Sequence, residues 1–194
     1  MKTISGGVTA PIGFRAAGVY SGIKKKKKKQ LDLALLVSDQ EGPVAGVFTK
    51  NHVVAAPVIL DRLHLKRGLG RAFLVNSGNA NACTGPEGMQ AAKEMAQLAA
   101  TALNCATHTI FVGSTGVIGQ PLPIACIREA LPALAARLTR RGGSEAASAI
   151  MTTDLKPKQV AVRALLGGKM VTVGGMAKGS GMIHPNMATM LGYV

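Results

Sequence analysis

The 194 residues include 23 Lys or Arg against 9 Asp or Glu, a net charge of +14, and 47% of them are hydrophobic while only 3% are aromatic. This composition excludes a disordered chain, and the glycines lack the three-residue period of collagen. The chain contains no continuous run of about 20 apolar residues, so the sequence predicts no membrane span. We expect about one domain, with a core built mainly of Ala, Val, Leu, Ile and Met.

Short apolar or alternating segments bounded by turn residues predict a series of β-strands. The first two are expected to be joined by a turn at residues 39–43. The predicted strands are, in chain order, residues 31–37, 46–49, 53–60, 72–75, 107–112, 160–166 and 170–173.

Two longer helices are predicted between these strands. The first begins at Thr84, which forms a Thr-x-x-Glu capping box with Glu87. The second spans about residues 123–141, and Pro132 is expected to kink or split it. A short third helix is predicted to follow. Because strands outnumber helices without alternating regularly with them, the sequence favours a layered α+β fold over a doubly wound parallel sheet.

Nearly half of the net charge lies in one lysine run, from Lys24 to Lys29. A nucleic-acid-binding face would also need aromatic side chains that stack on bases, and the chain has only two Tyr and four Phe. The run therefore predicts a solvated surface loop, with an electrostatic tether for an acidic partner as the alternative. We expect no nucleic-acid partner.

Two glycine-rich segments have the composition of nucleotide-binding loops but not their spacing. Residues 113–119 read G-x-x-G-x-x-G, whereas the dinucleotide fingerprint reads G-x-G-x-x-G and opens a helix. In residues 174–181, Gly179 separates Lys178 from Ser180, whereas a phosphate loop needs Lys directly before the hydroxyl residue. We expect no cofactor. Residues 113–119 predict a turn that presents N–H donors, with a plain tight turn as the alternative.

The histidines and cysteines predict neither a metal site nor a disulfide. No His, Cys, Asp and Glu cluster has metal-ligand spacing. The three cysteines form no C-x-x-C motif, and the N-terminus has no secretory pattern, so we expect free thiols in a reducing compartment. The sequence predicts a soluble, cytoplasmic protein without a bound metal.

Hydroxyl side chains beside small residues are the remaining candidates for nucleophilic chemistry. A Thr is a poor nucleophile unless a base lies next to it, and a chain cut that makes it N-terminal supplies its own α-amine as that base. Composition leaves open which hydroxyl would act, and a Ser-His-Asp triad also stays open, although no G-x-S-x-G elbow supports one. The candidates are Thr115, Thr152, Thr153, Ser180 and Thr189.

Several motifs occur along the chain in one order, and two of them are highly specific. These two are NSGNANACTG at residues 76–85 and GGMAKGSGMIHPNMATML at residues 174–191. The others lie at residues 13–19, 32–35, 45–49, 55–58, 114–119 and 150–154. Together they resemble the ornithine acetyltransferase family, also called glutamate N-acetyltransferase, over essentially the whole chain.

The resemblance implies a layered α/β/β/α sandwich and an enzyme that cuts its own precursor between Ala188 and Thr189. The freed Thr189 would attack the acetyl group of N-acetyl-L-ornithine and release ornithine. The acetyl-Thr189 intermediate would then pass the acetyl group to L-glutamate, which is a ping-pong cycle. Some family members are also amino-acid N-acetyltransferases, which leaves acetyl-CoA open as a second donor.

The same resemblance implies roles for four further residues. Thr115 and Gly116 would form the oxyanion hole, which agrees with a turn that presents N–H donors. Thr152 and Lys178 would bind substrate together with Thr189. A lysine in a pocket with few other charges suits the α-carboxylate of either substrate.

Family members are about twice as long as this chain, which suggests that part of the site lies elsewhere. Residues 1–188 correspond to the α-chain-like region of one domain, and residues 189–194 correspond to the start of the β-chain. We expect an αβ hetero-oligomer with the β-chain of the same precursor, and no transfer by the 194-residue chain alone. The alternatives are an inactive fragment, a related self-cleaving N-terminal-Thr hydrolase, and a basic binding module built around the lysine run.

Overall fold

The computed structural model describes residues 1–24, 30–179 and 190–194. Its helices are α1 (Ala56–Leu65), α2 (Gly85–Leu103), α3 (Ile124–Ala136) and α4 (Gly143–Ala149), with a 3-10 turn at Thr107–Thr109. Its strands are β1 (Lys2–Ile4), β2 (Phe14–Val19), β3 (Leu33–Pro43), β4 (Leu69–Asn79), β5 (Ile110–Val117), β6 (Lys158–Leu166), β7 (Lys169–Lys178) and β8 (Leu191–Tyr193).

These strands form two four-stranded sheets. The first sheet has the order β1-β6-β7-β8 and is antiparallel throughout. The second has the order β2-β3-β4-β5, and only its β4–β5 pair is parallel. Helix α2 lies between β4 and β5 in the chain, because a parallel pair needs a long crossover connection. The predicted α+β sandwich is confirmed.

One face of the second sheet packs against α1, α2 and α3. Strand residues that point to this face, such as Leu33, Leu35 and Leu74, are fully buried. Helix α2 meets them with small side chains at helical spacing, including Ala92 and Ala96. Small residues let the helix approach the sheet closely, which explains how so few aromatic residues can fill this core.

The other face of the second sheet packs against the first sheet and α4. Alternation along β3 places Ala34 and Leu36 on this side, where they join Ile150 and Met176 in a second buried cluster. Tyr193 of β8 reaches across and packs its ring edge-on against Phe73, with 5.3 Å between ring centroids. The layers are therefore helices, second sheet and first sheet.

The outer face of the first sheet is apolar and open. Paired register positions place Val160, Leu166, Val171 and Val173 on the face opposite buried Ala161. These four side chains are 55%, 61%, 37% and 44% exposed, respectively. We call this set the outer face.

The predicted strand at residues 53–60, between β3 and β4, is wrong. Residues 53–60 were expected to form a strand, but residues 56–65 form helix α1, which buries Ala56, Leu60 and His64 at helical spacing against β5. A short apolar run fits a strand or a buried helix equally well, and Pro57 at the first turn favours the helix.

The predicted strand at residues 46–49 and the turn at residues 39–43 are also wrong. Strand β3 instead continues to Pro43, with irregular pairing to β4 between Val37 and Gly42. Strand β5 likewise does not stop at Val112 but continues to Val117. Pairing with a neighbouring strand carries both segments past residues that usually end a strand.

The two longer predicted helices are present as α2 and α3, but the predicted cap of α2 is not formed. Helix α2 begins at Gly85, but Thr84 makes no capping hydrogen bond to it, so the predicted capping box is wrong. The Thr84 hydroxyl donates instead to Asn81 Oδ1 at 2.9 Å. Helix α3 runs through Pro132 without being split and ends at Ala136. Within the described ranges, no helix is long and apolar enough to cross a membrane.

Candidate active site

Three of the predicted site residues meet where the two sheets face each other. Lys178 is the last residue of β7, and its Nζ donates to Thr115 Oγ1 and to Thr152 Oγ1, both at 2.8 Å. Thr115 lies near the end of β5, and Thr152 follows α4. We call Lys178, Thr115 and Thr152 the Lys178 cluster. Ala188 and Thr189, the predicted scissile pair, lie outside the described residues.

Strand pairing brings the chain on both sides of residues 180–189 to this cluster. Lys178 and Leu191 are register partners in the β7–β8 pair. Leu191 follows Thr189 by two residues, and consecutive Cα atoms are 3.8 Å apart. The fold thus joins the sequence positions that flank the predicted cleavage site directly to the predicted substrate-binding lysine.

Gly116 is held against the end of β4 by a close backbone contact. It has a φ of +137°, and a Cβ at this position would lie 2.4 Å from the carbonyl carbon of Gly78. Only glycine fits both constraints without strain. This contact fixes the peptide that joins Thr115 to Gly116 beside the Lys178 cluster.

Buried asparagines also hold β5 and the residues that follow it in place. Asn79 donates from Nδ2 to the carbonyls of Gln120 and Pro121, both at 3.1 Å. Asn76 donates to the carbonyl of Asn79 and accepts from Ser114 at 2.6 Å. The sequence identified this asparagine-rich motif as specific, but a structural role for its side chains requires partners about 40 residues away.

Burial controls the charge of Lys178. The residue is 5% exposed, and desolvation lowers the pKa of its ammonium group below the ordinary 10.5. The negative charge of Asp154 opposes this effect, and the positive charge of Lys158 adds to it. Lys178 is therefore an ammonium group whose protonation depends on its neighbours.

Asp154 is a site neighbour that the sequence did not single out. Its side chain is 2% exposed and accepts hydrogen bonds from Thr152 N, Gly179 N and Lys158 Nζ. Burial alone would raise the pKa of Asp154, but the bonds from Lys158, Gly179 and Thr152 lower it to about 2. The carboxylate is therefore ionised; Thr152 and Lys158 are near it in the chain, whereas Gly179 lies 25 positions away.

Lys24 departs from the prediction of a solvated lysine loop. Its Nζ donates to the carbonyls of Leu31 and Met151 at 3.1 and 2.7 Å, so it is tied to the residue before Thr152. Buried Asp32 accepts from the backbone N–H of Lys24 and thereby holds the start of the run. The other five lysines of the run lie outside the described residues.

The chain also contains three cysteines and several possible metal ligands. Cys83, Cys105 and Cys126 are free thiols, as predicted. Across the described ranges, no group of three His, Cys, Asp or Glu side chains is placed to hold a metal ion. His184, one of the four histidines, lies outside these ranges.

Comparison with known proteins identifies the family. The ArgJ family profile matches residues 15–194. The chain belongs to the ArgJ family. The arginine biosynthesis bifunctional protein ArgJ of Symbiobacterium thermophilum is 55% identical over 194 residues, which are 100% of this chain and 48% of the relative. The ArgJ protein of Thermosynechococcus vestitus is 54% identical, over 100% and 46%. The chain spans about half the length of these curated ArgJ relatives.

Two solved ArgJ structures share the fold with a TM-score of 0.87 each. The arginine biosynthesis bifunctional protein ArgJ of Bacillus halodurans is 38% identical, and the match covers 98% of this chain and 97% of that chain. The ornithine acetyltransferase of Mycobacterium tuberculosis, solved in complex with ornithine, is 42% identical, over 95% and 97%. The resemblance noted from the motifs is confirmed at the level of family and fold.

Proposed function

We propose that this chain is the N-terminal part of a self-cleaving enzyme that transfers an acetyl group from N-acetyl-L-ornithine to L-glutamate. The observation that carries the proposal is the Lys178 cluster, which gathers a buried ammonium and two hydroxyls beside the strand that follows Thr189. Family membership and the ornithine bound to the Mycobacterium tuberculosis relative support the substrate class.

Cleavage between Ala188 and Thr189 accounts for a difference among the relatives. The solved chains are matched over 97% of their lengths, whereas the curated relatives are matched over less than half of theirs. A precursor cut into two chains would produce both results. Hydrolysis of the Ala188–Thr189 peptide bond gives a carboxylate on Ala188 and a free α-amine on Thr189, which then serves as the base for the Thr189 hydroxyl.

Acetyl transfer then proceeds in two steps. In the first, the Thr189 hydroxyl attacks the acetyl carbonyl of N-acetyl-L-ornithine; the amide bond breaks, the hydroxyl proton passes through the α-amine to the departing nitrogen, and ornithine leaves. In the second, the α-amine of L-glutamate attacks the acetyl-Thr189 ester; the ester C–O bond breaks, a proton of the attacking amine passes through the α-amine of Thr189 to the Thr189 oxygen, and N-acetyl-L-glutamate leaves. Covalent catalysis divides one difficult transfer into two easier ones.

The described residues supply charge stabilisation and substrate binding. Thr115 accepts a hydrogen bond from Lys178, so its own hydroxyl hydrogen is free to point at the oxyanion together with the Gly116 N–H. The Lys178 ammonium and the Thr152 hydroxyl would bind the α-carboxylate of either amino acid. Acetyl-CoA is the alternative donor, and the oxyanion role of Thr115 and Gly116 would be the same with it.

The second half of the precursor would complete the site as a β-chain, with residues 1–188 as the α-chain. The apolar outer face of the first sheet supports this, because the covering layer of an α/β/β/α sandwich would bury Val160, Val171 and Val173. The assembled protein would be an αβ hetero-oligomer. The open outer face also favours the second candidate, a 194-residue chain that is inactive by itself.

Intact-mass measurement on the full-length protein tests the nucleophile. We expect two chains with a break between Ala188 and Thr189, and an acetyl adduct on Thr189 when N-acetyl-L-ornithine is added without an acceptor. Thr189→Ala should remain one chain and lose transfer. The exposed Thr153 provides the matched control, and Thr153→Ala should behave as the wild type. Transfer that survives Thr189→Ala, or full activity in an uncut chain, contradicts the mechanism.

A second assay separates the alternatives. Acetyl exchange between ornithine and glutamate should be absent with the 194-residue chain and should appear when the missing half is added. Turnover by the isolated chain would show that the site is complete without a β-chain. Release of free acetate without glutamate would instead identify a hydrolase.

A further inference from the structure

The carboxylate of Asp154 joins its own segment, residues 152–158, to the residue that follows β7 at the Lys178 cluster. Its Oδ1 accepts from Gly179 N at 2.9 Å and from Lys158 Nζ, and its Oδ2 accepts from Thr152 N at 3.3 Å. Thr152 and Gly179 are, respectively, a partner of Lys178 and the residue directly after it. One buried side chain thus fixes the backbone on two sides of the same ammonium group.

Gly179 is also the point at which the chain turns away from β7. Its φ is +94°, a conformation that L residues with side chains rarely adopt, and its N–H is bound by Asp154. Residue 180, the first of the segment that leads to Ala188 and Thr189, follows directly. The bond to Asp154 therefore holds the last described residue before the predicted cleavage segment.

We propose that Asp154 is a positioning residue for acetyl transfer: by accepting from the backbone N–H groups of Thr152 and Gly179, it holds the two segments that flank the Lys178 ammonium. This inference rests on the proposed function, in which Lys178 binds the substrate carboxylate. Asp154 would act only through these groups, without touching substrate.

The charges around Lys178 make the proposal testable. Among the residues that the structure describes, Asp154 and Lys158 are the charged groups that act on Lys178, and they act in opposite directions. Loss of the Asp154 charge should lower the pKa of Lys178 further. Loss of the Lys158 charge should raise it, both by removing a repulsion and by leaving Asp154 without its competing cation. A purely structural role would not produce opposite shifts.

The test compares Asp154→Asn, Asp154→Glu and Lys158→Gln in the full-length protein, with glutamate as the varied acceptor. For Asp154→Asn we expect the alkaline limb of kcat/KM to move to lower pH, so that at alkaline pH the KM for glutamate rises about tenfold while kcat changes less. Lys158→Gln should move the limb to higher pH. Asp154→Glu, which keeps the charge, should restore most of the wild-type profile.

A direct titration keeps this inference separate from the proposed function. The pKa of Lys178 can be followed by NMR in protein labelled at the lysine side chains, with Lys178→Arg to assign the signal. A lower Lys178 pKa in Asp154→Asn supports the electrostatic role even if no acetyl transfer is found, in which case only the proposed function fails. An unchanged Lys178 pKa and an unshifted limb in a folded Asp154→Asn protein would overturn the inference.

Discussion

At the scale of single residues, close contacts and hydrogen bonds hold the groups of the candidate site in fixed positions. Gly116 presses against the backbone of Gly78, and Lys178 is held by two hydroxyls at equal distances. Such preorganisation places donors where negative charge would develop during acyl transfer. Small changes at these positions should therefore affect both activity and stability.

Gly116→Ala tests the close contact at the proposed oxyanion hole. The added Cβ meets Gly78 and the positive φ becomes strained, so we expect a loss of about 2–4 kcal/mol of unfolding free energy and about 100-fold or more of kcat. Gly119→Ala is the matched control, because Gly119 also has a positive φ, +75°, but open space around it. That control should lose only about 1 kcal/mol and little activity. Equal effects in urea unfolding and in steady-state rates would contradict the role of the contact.

At the scale of elements, helix α1 supports the strand that carries Thr115. Asp61 of α1 accepts the backbone N–H of Val112 in β5 at 2.9 Å, which satisfies a donor on the open edge of the second sheet. Burial raises the pKa of Asp61 to about 8, although the Val112 bond partly opposes the shift. The helix and strand are therefore joined by a carboxyl group that stays protonated at neutral pH.

Asp61→Asn should remove a pH-dependent loss of stability that arises where α1 contacts β5. A carboxyl whose folded pKa lies above its unfolded value of 3.8 lowers stability as pH rises from about 4 to about 8, because the unfolded chain loses the proton first. Asn keeps the acceptor and cannot ionise. We expect similar stability at pH 4 and a gain of about 1–3 kcal/mol at pH 8, measured by urea unfolding across this range. A constant difference between the two proteins at all pH values would show that Asp61 does not titrate in this window.

At the scale of the whole molecule, the two faces of the first sheet differ sharply. Its inner face packs against the second sheet through Met176, while its outer face leaves Val171 and Val173 exposed. Exposed apolar side chains are unfavourable in water, and burying them stabilises a folded protein or a complex by about 25 cal/mol per Å². In the proposed enzyme, the second half of the precursor would cover this outer face.

Val173→Lys tests whether the outer face receives the rest of the proposed enzyme. The isolated chain should keep its stability because Val173 is 44% exposed, but association with the missing half should weaken at least tenfold, as a desolvated charge would lie in the interface. Val53→Lys is the matched control, since Val53 is 71% exposed and lies outside the first sheet. Calorimetric titration of the two halves measures both. Equal affinities would place the partner on another surface.

Local pattern in the sequence determined much of this protein. Helix α2, strands β3 to β7 and the α+β class follow from apolar periodicity, whereas β1, β2 and β8 were not predicted. The ordered motifs led to the family and to Thr115, Gly116, Thr152 and Lys178. Local pattern failed at α1, where a run of eight apolar-rich residues fits either structure and contact with β5 decides the outcome.

Only the tertiary structure decided which of these residues act together. Lys178 and Thr115 are 63 positions apart in the chain, and no spacing rule connects them; they meet because two sheets pack face to face. The same packing places the Asp154 carboxylate between the backbone N–H groups of Thr152 and Gly179, on either side of Lys178. The sequence specifies the chemical type of each side chain. The distances between side chains, their burial and the balance of their charges arise only when distant segments pack into the same core.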